Sequence, residues 1–365
     1  MTSDPRIRQI SAQAYRIPTD MPEADGTLAW DHTVLITVQI EAGEASGFGY
    51  TYADAAIVRL IRQTLAQVVV GCDALDISSA TEKLRRSVRN LGRSGLAATA
   101  ISAVDLALWD LKAKLLKAPL ARLLGRSRVR VPIYGSGGFT SYSDSQLRDQ
   151  LARWVERDGC RWVKMKIGSD RARDPTRVRV ARQAVADKGL FVDANGAFSA
   201  KVALDLAERI ADQQVSWFEE PVSSDDLAGL ALVRQRAPAG MEIAAGEYAY
   251  TPDDFERLTA GPAVDVLQAD ITRCGGVTGF LQAAGLAAAR HMELSCHCAP
   301  AAHLAVACAV PHLRHVEWFH DHVRIEQMLF DGAPLAREGA IAPDPDRPGL
   351  GIALKLPDAE RFLVH

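Results

Sequence analysis

Cysteine is scarce in this sequence, long apolar runs are missing, and neither sign of charge prevails. The six cysteines, Cys72, Cys160, Cys274, Cys296, Cys298 and Cys308, are too few to staple 365 residues together. That sparseness argues against a disulfide framework and for a reducing, cytoplasmic setting. The N-terminus carries no secretory pattern. The richest apolar stretch, residues 281–289, is short and is followed by Arg290 and His291, so no membrane span is expected. With 42 Lys and Arg against 45 Asp and Glu, the net charge of -3 gives no global field for nucleic acid or an anionic membrane. The Arg-rich segment 171–182 reads as the solvated face of a helix. The glycines of 135–138 form no G-x-G-x-x-G pattern and are followed by no Walker lysine, which argues against a nucleotide fold.

What is present is a change of texture near residue 125. Before it, residues 10–17, 33–41 and 47–52 are rich in β-formers and predict a small antiparallel sheet. Residues 18–30 between the first two strands are polar and turn-rich, and are expected to form a loop that covers a site elsewhere. Segments 55–69 and 96–115 carry apolar residues at three- and four-residue spacing and predict helices. From residue 131 onward, short apolar strands alternate with Ala/Leu/Arg helices. The strands are expected at 131–134, 162–165, 190–192, 215–218, 243–245, 264–267, 292–295 and 316–318. Eight such units predict an α/β fold, a (β/α)₈ TIM-like barrel of residues 126–351 behind an N-terminal α+β domain of residues 1–125. The final stretch, 352–365, is too short for its own core and packs back on the first domain or the barrel bottom.

The acids and bases fall at the strand ends, where a barrel of this kind gathers functional groups. Asp193, Glu219 or its neighbour Glu220, and Glu247 follow successive strands. Three converging carboxylates are hard oxygen donors, which suit Mg²⁺ better than zinc. Lys164 and Lys166 lie two apart on a strand and so point to one face. Each being near the other, and both desolvated, the pKa of Lys166 is expected to be lowered toward that of a base. Asp270 and His297 form a second candidate base, the carboxylate fixing the imidazole tautomer. Cys296 and Cys298 flank that histidine and could suggest a soft-metal site, but alternation turns them to the opposite face and no C-x-x-C pair supports one. Glu317 is expected to be a buried acid able, when protonated, to donate to a developing oxyanion. Specificity is assigned to residues 18–30 with Trp30, to 135–142, to Arg273 and to 320–322.

Together these segments resemble the enolase superfamily, within it the mandelate racemase-like group. The resemblance spans nearly the whole chain, through AISAVDLALWDLKAKLLKAPLARLLG, VKMKIG, VDANGAFS, WFEEP, AAGEYAY, LQADITRCGG, SCHCAP and VEWF. It implies Asp193, Glu219 rather than Glu220, and Glu247 as Mg²⁺ ligands. It implies Lys166 as the base on one face of the substrate α-carbon and Asp270–His297 as the dyad on the other. Lys164 lies near the substrate carboxylate, Glu317 beside the enolate oxygen, and Asn195 next to the metal ligands. It further implies that residues 1–125 and the tail 352–365 form a capping domain, and that the chain assembles as a homo-oligomer, a dimer or octamer. The implied activity is α-proton abstraction from a small carboxylate, with dehydration of an acid sugar to a 2-keto-3-deoxy acid favoured. The alternatives are racemisation or epimerisation, or a non-catalytic barrel that binds a sugar acid or metal. The polar residues Asp20, Glu23 and Asp25 of the covering segment speak against mandelate itself.

Overall fold

A computed structural model describes residues 4–364. The chain opens with three antiparallel strands, β1 (Ile7–Ala24), β2 (Ala29–Ala42) and β3 (Ala45–Tyr52), in that order. Strand alternation gives this sheet two buried faces. Ala12, Ala14, Ile36, Val38 and Ile40 pack on the helix Leu96–Leu115, whose Ala100, Val104, Leu108 and Leu111 belong to the same core. Tyr15, Ile17, Leu35, Phe48 and Tyr50 face the other way, into the larger core shared with the barrel.

The expected loop 18–30 is instead mostly strand. Pairing continues from Pro18 opposite His32 to Glu23 opposite Trp30 and Ala24 opposite Ala29, with one irregularity between Pro18 and Glu23. A bulge accommodates the two prolines, which cannot donate to the ladder, so the hairpin survives a polar, proline-bearing sequence. Only residues 25–28 form the turn, where Asp25 Oδ1 accepts hydrogen bonds from the amides of Thr27 (2.6 Å) and Leu28 (2.7 Å).

The barrel strands are β4 (Val131–Gly137), β5 (Trp162–Lys166), β6 (Gly189–Asp193), β7 (Val215–Glu219), β8 (Glu242–Ala245), β9 (Val266–Ala269), β10 (Glu293–Cys296) and β11 (Leu313–Phe319). Each pairs in parallel with the next, and β11 pairs with β4 to close the cylinder. Helices separate the strands, and a further helix, His320–Leu329, follows the eighth. β9 starts two residues later than its sequence suggests. Asp265 is used as a side-chain acceptor instead, for the Ile243 amide at 2.9 Å and Arg234 at 2.6 Å. That shift leaves Asp270 as the first residue beyond β9.

Inside the barrel, Tyr134, Phe191, Trp217, Ala244 and Val266 form one buried layer, with His315 against Tyr134. This apolar floor lies below the charged groups of the mouth and keeps them away from water on that side. The N-terminal sheet and its helix are tied to the barrel by Asp105, which accepts from the Thr278 amide (3.0 Å), and by Trp109, which donates to Thr278 Oγ1 (3.0 Å). At the other end the Val364 amide donates to Ala14 O at 2.8 Å. Among the described residues no helix is long and apolar enough to cross a membrane.

Candidate active site

The ladder itself assembles half of the site. Lys166 on β5 stands opposite Asp193 on β6, and Asp193 opposite Glu219 on β7, so one register row carries three charged groups. Glu247 joins them from beyond β8. The chain reaches it through Gly246, whose φ of 141° and close approach to Gln268 O, 2.0 Å from where a Cβ would stand, exclude a side chain. Ligand atoms of Asp193, Glu219 and Glu247 all lie within 4.8 Å of one another, and all three residues are buried. Glu220 is not part of that set. Its φ of 37° breaks the alternation after the strand, and its buried Oε1 finds no hydrogen-bond partner among the described residues.

The lysines meet these acids directly. Lys164 Nζ lies 2.5 Å from Glu219 Oε1, 2.8 Å from Glu317 Oε1 and 3.5 Å from Asp193 Oδ2. Lys166 Nζ donates to Asp193 Oδ2 at 2.6 Å and to Asn195 Oδ1 at 3.0 Å. Among the protein's own groups the direction for the Lys166 pKa is up and not the expected down. Burial, the largest single influence, and the Lys164 charge pull it down, but Asp193 together with Glu247 and Glu219 outweighs them. Glu317 departs from expectation in the other direction. Burial disfavours its charge, yet Lys164 and His297 hold its pKa well below the usual carboxylate range. It is therefore an acceptor, also for Ser136 Oγ at 2.5 Å and the Cys298 amide at 2.8 Å, and Lys164 is the donor of the pair. Burial, and next the Asp193 charge, push Glu219 up to about 8. Acids crowded so closely favour a cation among them.

On the far side, His297 Nδ1 bonds Asp270 Oδ2 at 2.8 Å, leaving Nε2 toward the acids, 3.5 Å from Glu247 Oε2. Burial pulls the imidazole pKa down, but Glu247 and Asp270 outweigh it and the direction is up. Arg273, expected beside the substrate or behind the groups that contact it, braces this side. Its Nη1 donates to Glu247 O at 3.1 Å and lies 3.4 Å from Glu247 Oε1, and its Nε lies 3.5 Å from Asp270 Oδ2. The expected opposite orientation of Cys298 also fails. Its φ of 52° turns Sγ to within 3.4 Å of His297 Nε2.

The hairpin of β1 and β2 covers this mouth. A Cβ on Gly26 would stand 2.5 Å from Ala194 O and 2.6 Å from Ile167 O, so only glycine lets the turn sit on β5 and β6. Thr140 N donates to Ala24 O (2.8 Å), Thr140 Oγ1 to Asp25 O (2.7 Å) and Ser141 Oγ to Pro22 O (2.6 Å). Residues 138–142 are held in turn by Arg177, which was expected to be solvated but is buried. Its guanidinium donates to the carbonyls of Gly138 (3.1 Å), Phe139 (2.9 Å) and Tyr142 (2.8 Å). Nor is the hairpin purely polar. Trp30 donates to Glu23 Oε2 (2.8 Å), and with Met21 packs on Phe139, Tyr142, Cys298 and Phe319. His320 bonds Asp20 at 3.0 Å, while His322 stacks on Tyr52 with ring centroids 3.6 Å apart. Arg177 and Tyr52 were not singled out from the sequence. Nothing in local spacing distinguishes one arginine of a helix as the buried one.

Two family matches cover most of the chain. Residues 146–359 match the family described as enolase C-terminal domain-like, and residues 9–125 the mandelate racemase / muconate lactonizing enzyme N-terminal domain. A mandelate racemase/muconate lactonizing enzyme-like protein from Rubrobacter xylanophilus superposes with a TM-score of 0.96 at 48% identity, over 99% of this chain and 100% of that one. The 3,6-anhydro-α-L-galactonate cycloisomerase of Streptomyces coelicolor is 33% identical over 98% of this chain and 99% of its own. The L-talarate/galactarate dehydratase of Salmonella typhimurium, solved with Mg and L-lyxarohydroxamate, gives a TM-score of 0.90 at 30% identity. That match covers 100% of this chain and 94% of the other.

Proposed function

The chain belongs to the enolase-like, mandelate racemase / muconate lactonizing enzyme family, and from that premise we propose a Mg²⁺-dependent enzyme that removes the α-proton of an acid sugar. We propose dehydration to a 2-keto-3-deoxy acid as its reaction. The activities named for the cycloisomerase and the dehydratase relatives support an acid-sugar substrate. The proposed domain division is a cap of residues 1–125 with the tail 352–365, and a catalytic barrel of residues 126–351.

The observation that carries the reading is the placing of two nitrogen bases about one carboxylate cluster. Lys166 Nζ sits at its Asp193 edge, at 2.6 Å, and His297 Nε2 at its Glu247 edge, at 3.5 Å. The cluster fits the cation: three buried hard oxygen donors converge, and Glu247 Oε2 accepts no hydrogen bond among the described residues. Asp193, Glu219 and Glu247 would hold Mg²⁺, which supplies a Lewis acid for the substrate carboxylate.

The chain's own groups do the rest. Lys164, fully buried and paired to Glu219 and Glu317, is a fixed positive charge for the enediolate that forms when the α-proton leaves. Lys166, oriented by Asn195, takes or returns a proton on one side. His297, held by Asp270, does so on the other and protonates the departing β-hydroxyl. The apolar floor and the hairpin exclude bulk water. Racemisation or epimerisation is the second reading, favoured by the same pair of bases.

A panel of aldonates, aldarates and mandelate incubated in D₂O separates the two. A 2-keto-3-deoxy product is expected. An inverted, deuterated and otherwise intact substrate would establish the second reading, and absence of both turnover and exchange would sink both. Lys166→Ala and His297→Asn are each expected to lose roughly 10²–10⁴-fold in turnover. Unimpaired turnover by either variant removes that residue from the mechanism.

A further inference from the structure

Regular alternation beyond β10 would turn Cys298 away from His297. Instead Cys298 and Ala299 both adopt left-handed conformations, with φ of 52° and 39°, that non-glycine residues seldom take. The turn places Cys298 Sγ 3.4 Å from His297 Nε2. Glu317 Oε2 lies 3.9 Å from the same nitrogen, and one donor atom from each residue lies within 4.8 Å of the other two. All three are buried.

The nitrogen–sulfur spacing matches a tetrahedral ion of borderline softness, and the Glu317 oxygen needs to close by about half an ångström. Zinc bonds of about 2.0 Å to nitrogen and about 2.3 Å to sulfur put the two donors roughly 3.5 Å apart across a tetrahedral angle. Glu247 belongs to the three-carboxylate cluster, so an ion held by His297, Cys298 and Glu317 keeps its fourth position for solvent. The imidazole is already prepared as a ligand, since its other nitrogen is tied to Asp270. A thiolate and an imidazole discriminate against Mg²⁺, which prefers the all-oxygen set beside them.

We propose that His297, Cys298 and Glu317 form a second cation site, selective for thiophilic divalent ions such as Zn²⁺, whose occupancy turns the enzyme off. Coordination uses the Nε2 lone pair, one Glu317 oxygen and the Cys298 sulfur. The thiol proton, and the Nε2 proton of a charged His297, leave to solvent as the metal–sulfur and metal–nitrogen bonds form, with no change of oxidation state. Glu317 keeps Lys164 through its other oxygen. With Nε2 occupied, His297 can neither accept nor donate a proton. That inhibitory consequence rests on the role proposed for His297; the binding itself does not.

The test titrates Mg²⁺-saturated protein with Co²⁺ as a spectroscopic probe and with Zn²⁺ as an inhibitor, in wild type, Cys298→Ala and Cys298→Ser. The expected result in wild type is a thiolate-to-cobalt charge-transfer band that saturates at one ion per chain and is displaced by Zn²⁺. Neither variant should give the band. Zn²⁺ should inhibit wild type at concentrations at least about tenfold below those needed for the variants. Absence of the band overturns the site, as does equal zinc sensitivity in all three proteins, which would place zinc on the three-carboxylate cluster. Cys298→Ser keeps the test decisive if the alanine variant folds poorly. If the chain turns over no acid sugar, the cobalt band still decides the site while the functional reading falls alone.

Discussion

The lysine side and the histidine side of the site are built by different means. Lys164, Lys166, Asp193 and Glu219 sit on hydrogen-bonded strands, and their mutual positions follow from sheet register. Asp270, Arg273, His297 and Cys298 lie beyond strand ends, and their positions depend on turns and side-chain bonds. The two sides also differ in saturation. Lys166 is committed to Asp193 and Asn195, whereas His297 Nε2 faces acceptors at 3.4 Å and beyond. A group placed by register is rigid but spoken for. A group placed by a turn is adjustable, open to a substrate, and open to competitors.

The comparison breaks most completely where both sides meet. Glu219→Gln removes a negative oxygen from the shared cluster and the partner of Lys164, and should lower turnover by at least about 10³-fold. Calorimetric Mg²⁺ titration should show weakened binding; unchanged affinity and turnover would refute the ligand assignment. Asp270→Asn should disturb one side only. The imidazole loses the carboxylate that fixes its tautomer, and turnover should fall roughly 10²-fold. Any α-proton exchange with D₂O that Lys166 supports should persist, so equal loss of exchange would show that the two sides do not act separately. The smallest effect should come from Arg177→Met, which leaves three loop carbonyls without their donor. Denaturant unfolding should register a loss of about 2–3 kcal/mol. KM should rise with kcat nearly unchanged, because the hairpin loses its seat and not its chemistry.

The sequence was most legible where the backbone is regular. Period-two spacing placed Lys164 and Lys166 on one face, and strand-end position gathered Asp193, Glu219, Asp270 and His297. Legibility failed wherever the backbone leaves the regular pattern. Glu220 and Cys298 have positive φ: spacing left Glu219 and Glu220 open until family resemblance selected Glu219, and alternation turned Cys298 to the wrong face. The 18–30 segment was read as a loop because polar residues and prolines dilute a strand pattern, although a bulged hairpin tolerates both. Arg177 was misread for a related reason. Its partners are backbone carbonyls far along the chain, and local composition does not announce them.

The hairpin meets residues 138–142 through its own carbonyl oxygens, those of Pro22, Ala24 and Asp25, and it rests on β5 and β6 at a glycine. Such a seat depends on the path of the chain as much as on its side chains. Apart from Gly26, the turn residue Asp25 and the packed or bonded Asp20, Met21 and Trp30, the residues of the cover can be exchanged with little effect on that seat. Substrate preference can thus drift over generations while the acids and bases beneath stay as they are, one machine fitted with interchangeable faceplates.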